Sequence, residues 1–196
     1  MLFCLSLAAF FWCTTLLLDR MALNENIIRL HVVANSDEEA DQNRKLMVRD
    51  AVIAGIQKDL AGIADMNAAK EYLRVNLPRI KEIAEQALEQ AGFSGDVAVS
   101  LCEEAFATRV YDTFSLPAGV YDALRITIGK GEGKNWWCVV FPSLCVPATV
   151  EDFENVAAGA GFSECLYKTM TKESGYKLRF YLLEKMGELE TLFFAE

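Results

Sequence analysis

Few residues in this sequence could carry covalent catalysis. The nearest approach to a Ser/His/Asp set is His31 with Ser36 and Asp37, in which the imidazole would take a proton from the serine hydroxyl. These three residues lie close together along one segment, whereas catalytic triads draw their members from separate segments of the fold. The sequence therefore predicts no catalytic residue, and we expect the protein not to be an enzyme.

Carboxylate clusters and a glycine-rich stretch are the next candidates for chemistry. The acidic residues at 37–39 and 103–104 are of the kind that solvate a surface or begin a helix. Lys130 lies within a Gly-Lys-Gly-Glu-Gly stretch, which lacks the strand-loop-helix context and the spacing of a phosphate-binding loop. We therefore expect neither acid-base catalysis nor phosphate binding, and we interpret the glycines as the turn of a β-hairpin.

Cysteine spacing allows one disulfide and no metal site. Cys138 and Cys145 flank a Phe-Pro-Ser segment, and they would close a small loop if the chain turns at the proline. The alternative is a pair of buried free thiols, because neither the turn nor the Cα separation follows from the sequence. Cys102 and Cys165 are interpreted as apolar core residues. Without a Cys-x-x-Cys pair, and with His31 as the single histidine, we expect no metal and no cofactor.

Two adjacent tryptophans are the strongest sign of a binding surface. Trp136 and Trp137 follow Asn135 at the start of an apolar run, and neighbouring side chains on a strand point to opposite faces of a sheet. Tryptophan often anchors protein interfaces, and an indole on a rigid strand loses little entropy on docking. The alternative is that one indole lies in the core and the other beneath the C-terminal helices.

The elements that would position these residues start with a strand and a helix. Alternating apolar residues from Ile28 to Ala34 predict a strand, and Ser36 followed by Glu39 predicts a capping box at the start of a helix that runs to about residue 60. Arg49 falls inside the apolar arc of that helix. A buried guanidinium needs a carboxylate or a route to solvent, so Arg49 is either half of a structural ion pair or a partner-recognition residue.

The remaining pattern predicts an α+β domain. A second helical region begins near Asn67, is interrupted at Pro78 and ends near Gly92. Strands are predicted at 97–101, 106–111, 121–128 and 136–141, with the last two forming the hairpin, and helices at 151–158 and 176–189. We expect a mostly antiparallel sheet of about four to five strands, with two long helices packed on one face and further C-terminal helices.

Size and charge limit the function classes. A chain of 196 residues buries around 70% of its unfolded surface and can hold its own core. Its formal charge of −9 at pH 7 argues against nucleic acid or anionic lipid as a partner, because both require clustered Lys and Arg. We expect one α+β domain over residues 27–196.

An apolar segment precedes this domain. Residues 2–18 carry no charged side chain, and about 17 helical residues span roughly 26 Å, close to the thickness of a membrane core. Residues 1–20 are therefore a signal peptide or a membrane anchor, and the protein is expected to be exported or anchored. No clear Ala-x-Ala site follows, so cleavage and retention both stay open.

Two blocks together resemble a known family. One is Arg-Leu-His-Val-Val-Ala-Asn-Ser-Asp at 29–37, followed by Val-Arg-Asp-Ala-Val at 48–52, and the other is Asn-Trp-Trp-Cys at 135–138 with Leu-Cys at 144–145. They are similar to the motifs of the stage II sporulation protein R family, over roughly residues 28–146. From these matches we name candidate partner-binding residues, which are Asn35, Ser36, Arg49, Asn135, Trp136 and Trp137.

The resemblance implies a signalling role. Members of the family are exported from the forespore into the space between the forespore and mother-cell membranes. There they activate, by binding, a membrane-embedded aspartic protease that processes the mother-cell pro-sigma factor, pro-sigma-E. This chain is then expected to have that protease and the membrane as partners, with no small-molecule substrate. Alternatives from other classes are an exported cell-wall-acting enzyme and a membrane-anchored structural protein.

Overall fold

The fold is taken from a computed structural model that describes residues 2–63, 65–145, 149–171, 173 and 175–194. The described residues group into two compact units. The first unit takes in the described parts of Met1–Asn26, Ala105–Tyr121 and Pro147–Glu196, and the second unit takes in those of Ile27–Glu104 and Asp122–Val146. The single domain predicted for residues 27–196 stays a prediction.

Helices and strands alternate in long blocks along the chain. The helices are α1 (Leu2–Glu25), α2 (Glu39–Ala61), α3 (Met66–Gln90), α4 (Val150–Gly159), α5 (Glu164–Met170) and α6 (Lys177–Phe194). The strands are β1 (Ile28–Val33), β2 (Val97–Phe106), β3 (Arg109–Val110), β4 (Ser115–Leu116), β5 (Gly119–Ile128) and β6 (Asn135–Phe141).

The larger sheet has four strands in the order β2-β5-β1-β6. β1 pairs parallel with β5 and antiparallel with β6, so the sheet is mixed. All six residues of β1 are buried, as expected of a strand with neighbours on both edges and cover on both faces. The α+β class is confirmed, with β1 at the centre of the sheet.

The predicted hairpin between residues 121–128 and 136–141 is wrong. β5 and β6 are both formed, but β1 lies between them. The glycine-rich loop at 129–134 instead passes over the end of β1. Its Gly129 N–H donates to the carbonyl of Asp96 (2.8 Å), and its Gly133 N–H donates to the carbonyl of Ala34 (2.9 Å). The loop therefore joins β5 and β6, which both pair with β1 and do not pair with each other.

The core lies between the sheet and two helices. On the helix-facing side, Leu30 and Val32 of β1 align with Leu124 and Ile126 of β5, and all four are fully buried. They belong to one apolar cluster with α2 and α3, to which the helices contribute Val48, Val52, Ile56, Leu60, Leu73, Ile80, Ala84 and Leu88. This confirms the expectation of two long helices on one face.

Two local predictions about helices need correction. The capping box at Ser36 is not formed, because α2 begins after Glu38, which makes no side-chain cap. The hydroxyl of Ser36 instead donates to Asp41 and accepts the Glu38 N–H (2.7 and 3.2 Å). α3 runs unbroken through Pro78. The short helix α5, with Ser163 as its N-cap, was missed.

The first unit is built around α1 and α6, with aromatic stacking near β3 and β4. Phe114 stacks on Phe153 of α4 with ring centroids 4.7 Å apart. Residues Ser6–Glu25 of α1 form a helix long and apolar enough to cross a membrane. That judgement rests on length and composition, and a signal sequence or a buried core helix would meet the same criterion.

The path of the glycine-rich loop can be tested at Gly133. A Cβ there would lie 2.2 Å from the backbone oxygen of Ser36, which cannot move without disturbing the end of β1. We expect Gly133→Ala to lower the free energy of unfolding by more than about 1 kcal/mol, measured by urea denaturation. Gly159→Ala is the control, because no atom lies within 4 Å of its added Cβ. Equal midpoints for the two variants would contradict this loop path.

Candidate functional site

The residues after β1 hold the glycine-rich loop in place. Asn35 accepts the N–H of Lys130 on its Oδ1 (3.0 Å) and donates from its Nδ2 to Asp41 (2.7 Å). The Ser36 hydroxyl donates to the same Asp41 oxygen (2.7 Å). The Glu132 N–H donates to the Asn35 carbonyl (3.2 Å). We call Asn35, Ser36 and Asp41, with loop 129–134, the loop clamp.

Asp41 is the centre of the clamp. It is buried, and its second carboxylate oxygen accepts from Arg44 at 2.7 Å. The hydrogen bonds from Asn35 and Ser36, together with Arg44, hold the pKa of Asp41 below its ordinary value, although burial opposes that shift. Asp41 is therefore a carboxylate whose acceptor positions are filled by three side chains of its own unit.

A buried lysine fixes the end of the loop. Lys45 donates to the carbonyl of Lys134 (3.1 Å) and to the side chain of Gln42 (2.7 Å), and the Lys134 N–H donates to Asp37 (2.7 Å). Burial and the nearby positive charge of Arg49 lower the pKa of Lys45. Lys134 is bonded through both its N–H and its carbonyl, so the following residue, Asn135, starts β6 from a fixed point.

The two adjacent indoles point to opposite faces of β6, as predicted from the strand period. Trp136 aligns with Val32 on the helix-facing side and packs against the core cluster. The Arg49 guanidinium lies 4.7 Å from the ring centroid of Trp136, close enough for a cation–π interaction. Arg49 also pairs with Asp50 at 2.7 Å. The position of Arg49 is thus compatible with both hypotheses, a structural ion pair and a partner-recognition residue, because it is ion-paired and it also covers an indole.

Trp137 lies on the other face and stacks on His31. The two residues are aligned across β1 and β6, with ring centroids 5.6 Å apart and an angle of 24° between the planes. His31 Nδ1 lies 2.8 Å from a carboxylate oxygen of Glu104, and Arg125 donates to the other oxygen at 2.6 Å. Burial favours the protonated form of Glu104, but His31 and Arg125 outweigh it, so the pKa of Glu104 is lowered.

We call Trp136, Trp137, Arg49 and His31 the aromatic site. Both indoles are half-buried, and Asn135, which precedes them, is exposed. Each ring therefore keeps an accessible part while one cationic or aromatic neighbour limits its movement. This arrangement suits recognition of a protein surface, in which rigid, partly exposed indoles act as anchors.

The six candidate residues named from the sequence all lie in the second unit, and the structure divides them into two roles. Asn35 and Ser36 belong to the loop clamp, whereas Arg49, Trp136 and Trp137 belong to the aromatic site and Asn135 leads into it. Their predicted part in partner binding stays a prediction.

Residues that organise this region were missed. Asp41, Glu104 and Arg125 carried no signal in one sequence, because a carboxylate that organises a turn cannot be told from a surface carboxylate by spacing. His31, Ser36 and Asp37 each have a different partner, namely Glu104, Asp41 and the Lys134 N–H. Each of the three side chains is therefore bonded to a different part of the fold.

Comparison with known proteins decides the family. The model of the stage II sporulation protein R family matches residues 24–151, which include the loop clamp and the aromatic site. Stage II sporulation protein R of Bacillus subtilis (strain 168) is 33% identical over 187 residues, covering 86% of this chain and 84% of that protein. This chain belongs to the stage II sporulation protein R family. No solved structure matches it.

The second motif of the family resemblance also forms a covalent link. The Sγ atoms of Cys138 and Cys145 are bonded, with Cα atoms 5.1 Å apart. The chain turns between them after Phe141, at a cis Phe141–Pro142 bond, and the Leu144 N–H donates to the Val139 carbonyl (3.1 Å). The link therefore joins β6 to the turn that follows it, one residue beyond Trp137.

A cleft in the first unit is the candidate active site for the alternative function, a cell-wall-acting enzyme. Its volume is about 440 Å³, and its polar lining comes from Thr108, Glu184, Glu188 and Thr191. Both carboxylates come from adjacent turns of α6, and Glu188 pairs with Lys185 (2.5 Å). Glycoside hydrolysis needs two carboxyl groups on either side of the scissile bond, which the described lining of this cleft does not provide. Nor do the described residues contain a cluster of three metal-ligating side chains.

Acid should destabilise the fold through Asp41. Its folded pKa lies below the ordinary value of 3.8, so the unfolded chain takes up the proton more readily, and the stabilisation present above that pH is lost as pH falls through the folded value. We expect Asp41→Asn to lower the free energy of unfolding at pH 7 and to make it fall less steeply as the pH drops below about 4, measured by urea denaturation. Asp96→Asn, at an exposed carboxylate, should keep the wild-type profile. An unchanged profile in Asp41→Asn would rule out this role.

The disulfide can be checked directly by mass. Alkylation of the unfolded protein without reductant should leave Cys138 and Cys145 unmodified and label Cys165. Replacing both linked residues by alanine should lower the free energy of unfolding by about 2–3 kcal/mol, because the short loop is no longer closed in the unfolded chain. Cys165→Ala serves as the matched control for loss of a half-buried thiol. Labelling of Cys138 and Cys145 in the unreduced protein would show two free thiols.

Proposed function

We propose that this protein is an exported sporulation signal that acts by binding, and that its receptor is a membrane-embedded aspartic protease which processes the mother-cell pro-sigma factor, pro-sigma-E. Membership of the stage II sporulation protein R family supports the sporulation role. The observation that carries the binding mechanism is the aromatic site, in which two adjacent indoles are fixed on both faces of one strand. The protein is not expected to catalyse a reaction.

The proposal places the folded chain between the forespore and mother-cell membranes. The apolar helix α1 is compatible with export or with anchoring in the forespore membrane. From either arrangement the second unit could present the aromatic site to a receptor in the opposite membrane. Signalling then needs no enzyme, cofactor or small-molecule substrate from this side.

Binding can activate the receptor by shifting its population. A ligand favours whichever receptor state it binds more tightly, and only the difference in affinity between the two states matters. A preference of about 3 kcal/mol changes the ratio of active to inactive receptor more than a hundredfold. Dimerisation of the receptor on two signal molecules is one way to supply that difference.

Rigidity of the aromatic site supports this mechanism. Association costs free energy for every side chain that has to be immobilised. Arg49 on Trp136 and His31 on Trp137 already restrict the two rings, and Lys45 with Asp37 fixes the residue before β6. Part of the ordering cost is therefore met when the protein folds, which leaves more of the contact energy for discrimination between receptor states.

Substitution of either indole tests the receptor contact. We expect Trp136→Ala and Trp137→Ala to abolish pro-sigma-factor processing in sporulating cells that lack the wild-type protein, because interface tryptophans typically contribute about 2 kcal/mol or more. Processing is measured by immunoblot. Export and thermal unfolding of each variant are measured alongside, so that loss of folding is not mistaken for loss of receptor binding.

Phe93→Ala is the matched control. Phe93 is also half-buried and lies beneath an arginine of α2, Arg44, at 5.2 Å, but it is outside the aromatic site. We expect this variant to keep processing. Normal processing in folded, exported forms of both tryptophan variants would show that the contact lies elsewhere.

A further inference from the structure

The second half of α1 carries charged side chains that are built into the first unit. Asp19 accepts two hydrogen bonds from Arg179 of α6, at 2.8 and 2.6 Å, and both side chains are more than 90% buried. Thr15 also accepts from Arg179 (3.3 Å), and Ser163 donates to Asp19 (3.4 Å). A removable leader has no reason to supply half of a buried ion pair.

The next residue, Arg20, sits in a second set of contacts. It pairs with Glu190 of α6, donates to the carbonyl of Ala118 (2.9 Å) and to the hydroxyl of Tyr121 (3.3 Å), and Asn24 donates to Glu190 as well (2.8 Å).

The backbone is adapted to that packing. A Cβ at Gly187 of α6 would lie 1.6 Å from the backbone oxygen of Ala118. Only glycine therefore permits α6 to approach the residue whose carbonyl binds Arg20. Removing α1 would take away both hydrogen bonds that Arg179 donates to Asp19 and the one that it donates to Thr15, and losing one partner of a buried ion pair is strongly destabilising.

The same helix exposes an apolar face. Leu7, Phe10, Leu17, Leu18 and Met21 are all more than 40% exposed, and their spacing places them along one side of α1. On the inner side Asp19 and Arg20 are buried together with Leu16 and Leu23, so the charged groups face the protein while the exposed apolar side chains face away from it. The apolar face continues the run of membrane-spanning length and composition, so a lipid bilayer is the occupant that fits it.

We propose that α1 is retained in the mature protein, with residues 15–25 as a structural helix of the first unit and the preceding residues as an anchor in the bilayer. The inference is independent of the proposed receptor, and its tests use no signalling readout. It excludes maturation by cleavage after Ala22 or at any later residue.

The intact mass of the protein tests retention. A C-terminally tagged full-length chain is expressed in a spore-forming host, purified in detergent from the membrane fraction and weighed. We expect the mass of a chain that still contains α1. A mass that corresponds to a start inside α1, for example after Ala22, would overturn the proposal. A retained chain that sodium carbonate washes off the membrane would overturn the bilayer half of it, as would a soluble oligomer that covers the apolar face.

Stability of point variants tests the structural role of residues 15–25. In the detergent-purified full chain, Asp19→Ala and Arg179→Ala should each lower the unfolding temperature by roughly 5–15 °C, and the double variant should be no less stable than the worse single one. Arg179→Lys keeps the charge and should lose less.

Glu25→Ala and Lys177→Ala are the controls. Both residues are exposed. Glu25→Ala removes one charge from α1 and Lys177→Ala removes one from α6, and for each variant the unfolding temperature should stay within about 2 °C of wild type. An unfolding temperature unaffected by Asp19→Ala would mean that α1 is not part of the folded unit.

Discussion

The loop clamp is the constraint on which the aromatic site depends. β1 lies between β5 and β6, so the chain that leaves β5 has to cross the end of β1 before it can form β6. That crossing succeeds because Asn35 bonds the loop with its amide oxygen and Asp41 with its amide nitrogen. Asp41 is in turn held by Ser36 and Arg44. Asp41 thus holds the start of the loop through Asn35, and Lys45 with Asp37 holds its end at Lys134, the residue from which both tryptophans enter the sheet.

The proposed function assigns recognition rather than catalysis to this region. Its charged groups are paired with one another. Glu104 binds His31 and Arg125, and Arg49 forms an ion pair with Asp50 and covers the ring of Trp136. A catalytic group needs an environment that leaves it poised to exchange a proton with substrate. Here the same kinds of residue are used to restrain aromatic rings, which is what a preorganised docking surface requires.

The sequence predicted local structure well wherever one period dominates. The strand period placed Trp136 and Trp137 on opposite faces, and the apolar repeats gave α2, α3 and α6. Strand pairing was predicted wrongly because consecutive strands joined by a short glycine-rich loop usually form a hairpin. The pattern of β1 did not indicate a central strand. Its polar residues Arg29 and His31 alternate with apolar ones, as in a strand with one solvated face, although both residues are buried.

Side-chain partners could not be predicted in the same way. Ser36 and Glu39 have the spacing of a capping box, yet α2 begins only after Glu38. The serine hydroxyl therefore accepts the Glu38 N–H and donates to Asp41 instead. Asp41, Glu104 and Arg125 act through neighbours distant in sequence, and one sequence without three-dimensional contacts contains no information on such pairs.

The two units carry different halves of the proposed task. In the second unit, polar groups surround a rigid aromatic surface suited to a protein partner. In the first unit, α1 turns Asp19 and Arg20 inward to α6 and leaves an apolar face outside, which suits a bilayer. A signal that passes between two facing membranes benefits from such a division, since a tethered ligand searches a thin layer rather than a volume and its effective concentration rises. An anchor that is part of the fold, rather than attached by a flexible leader, also limits the orientations that the first unit can adopt at the membrane.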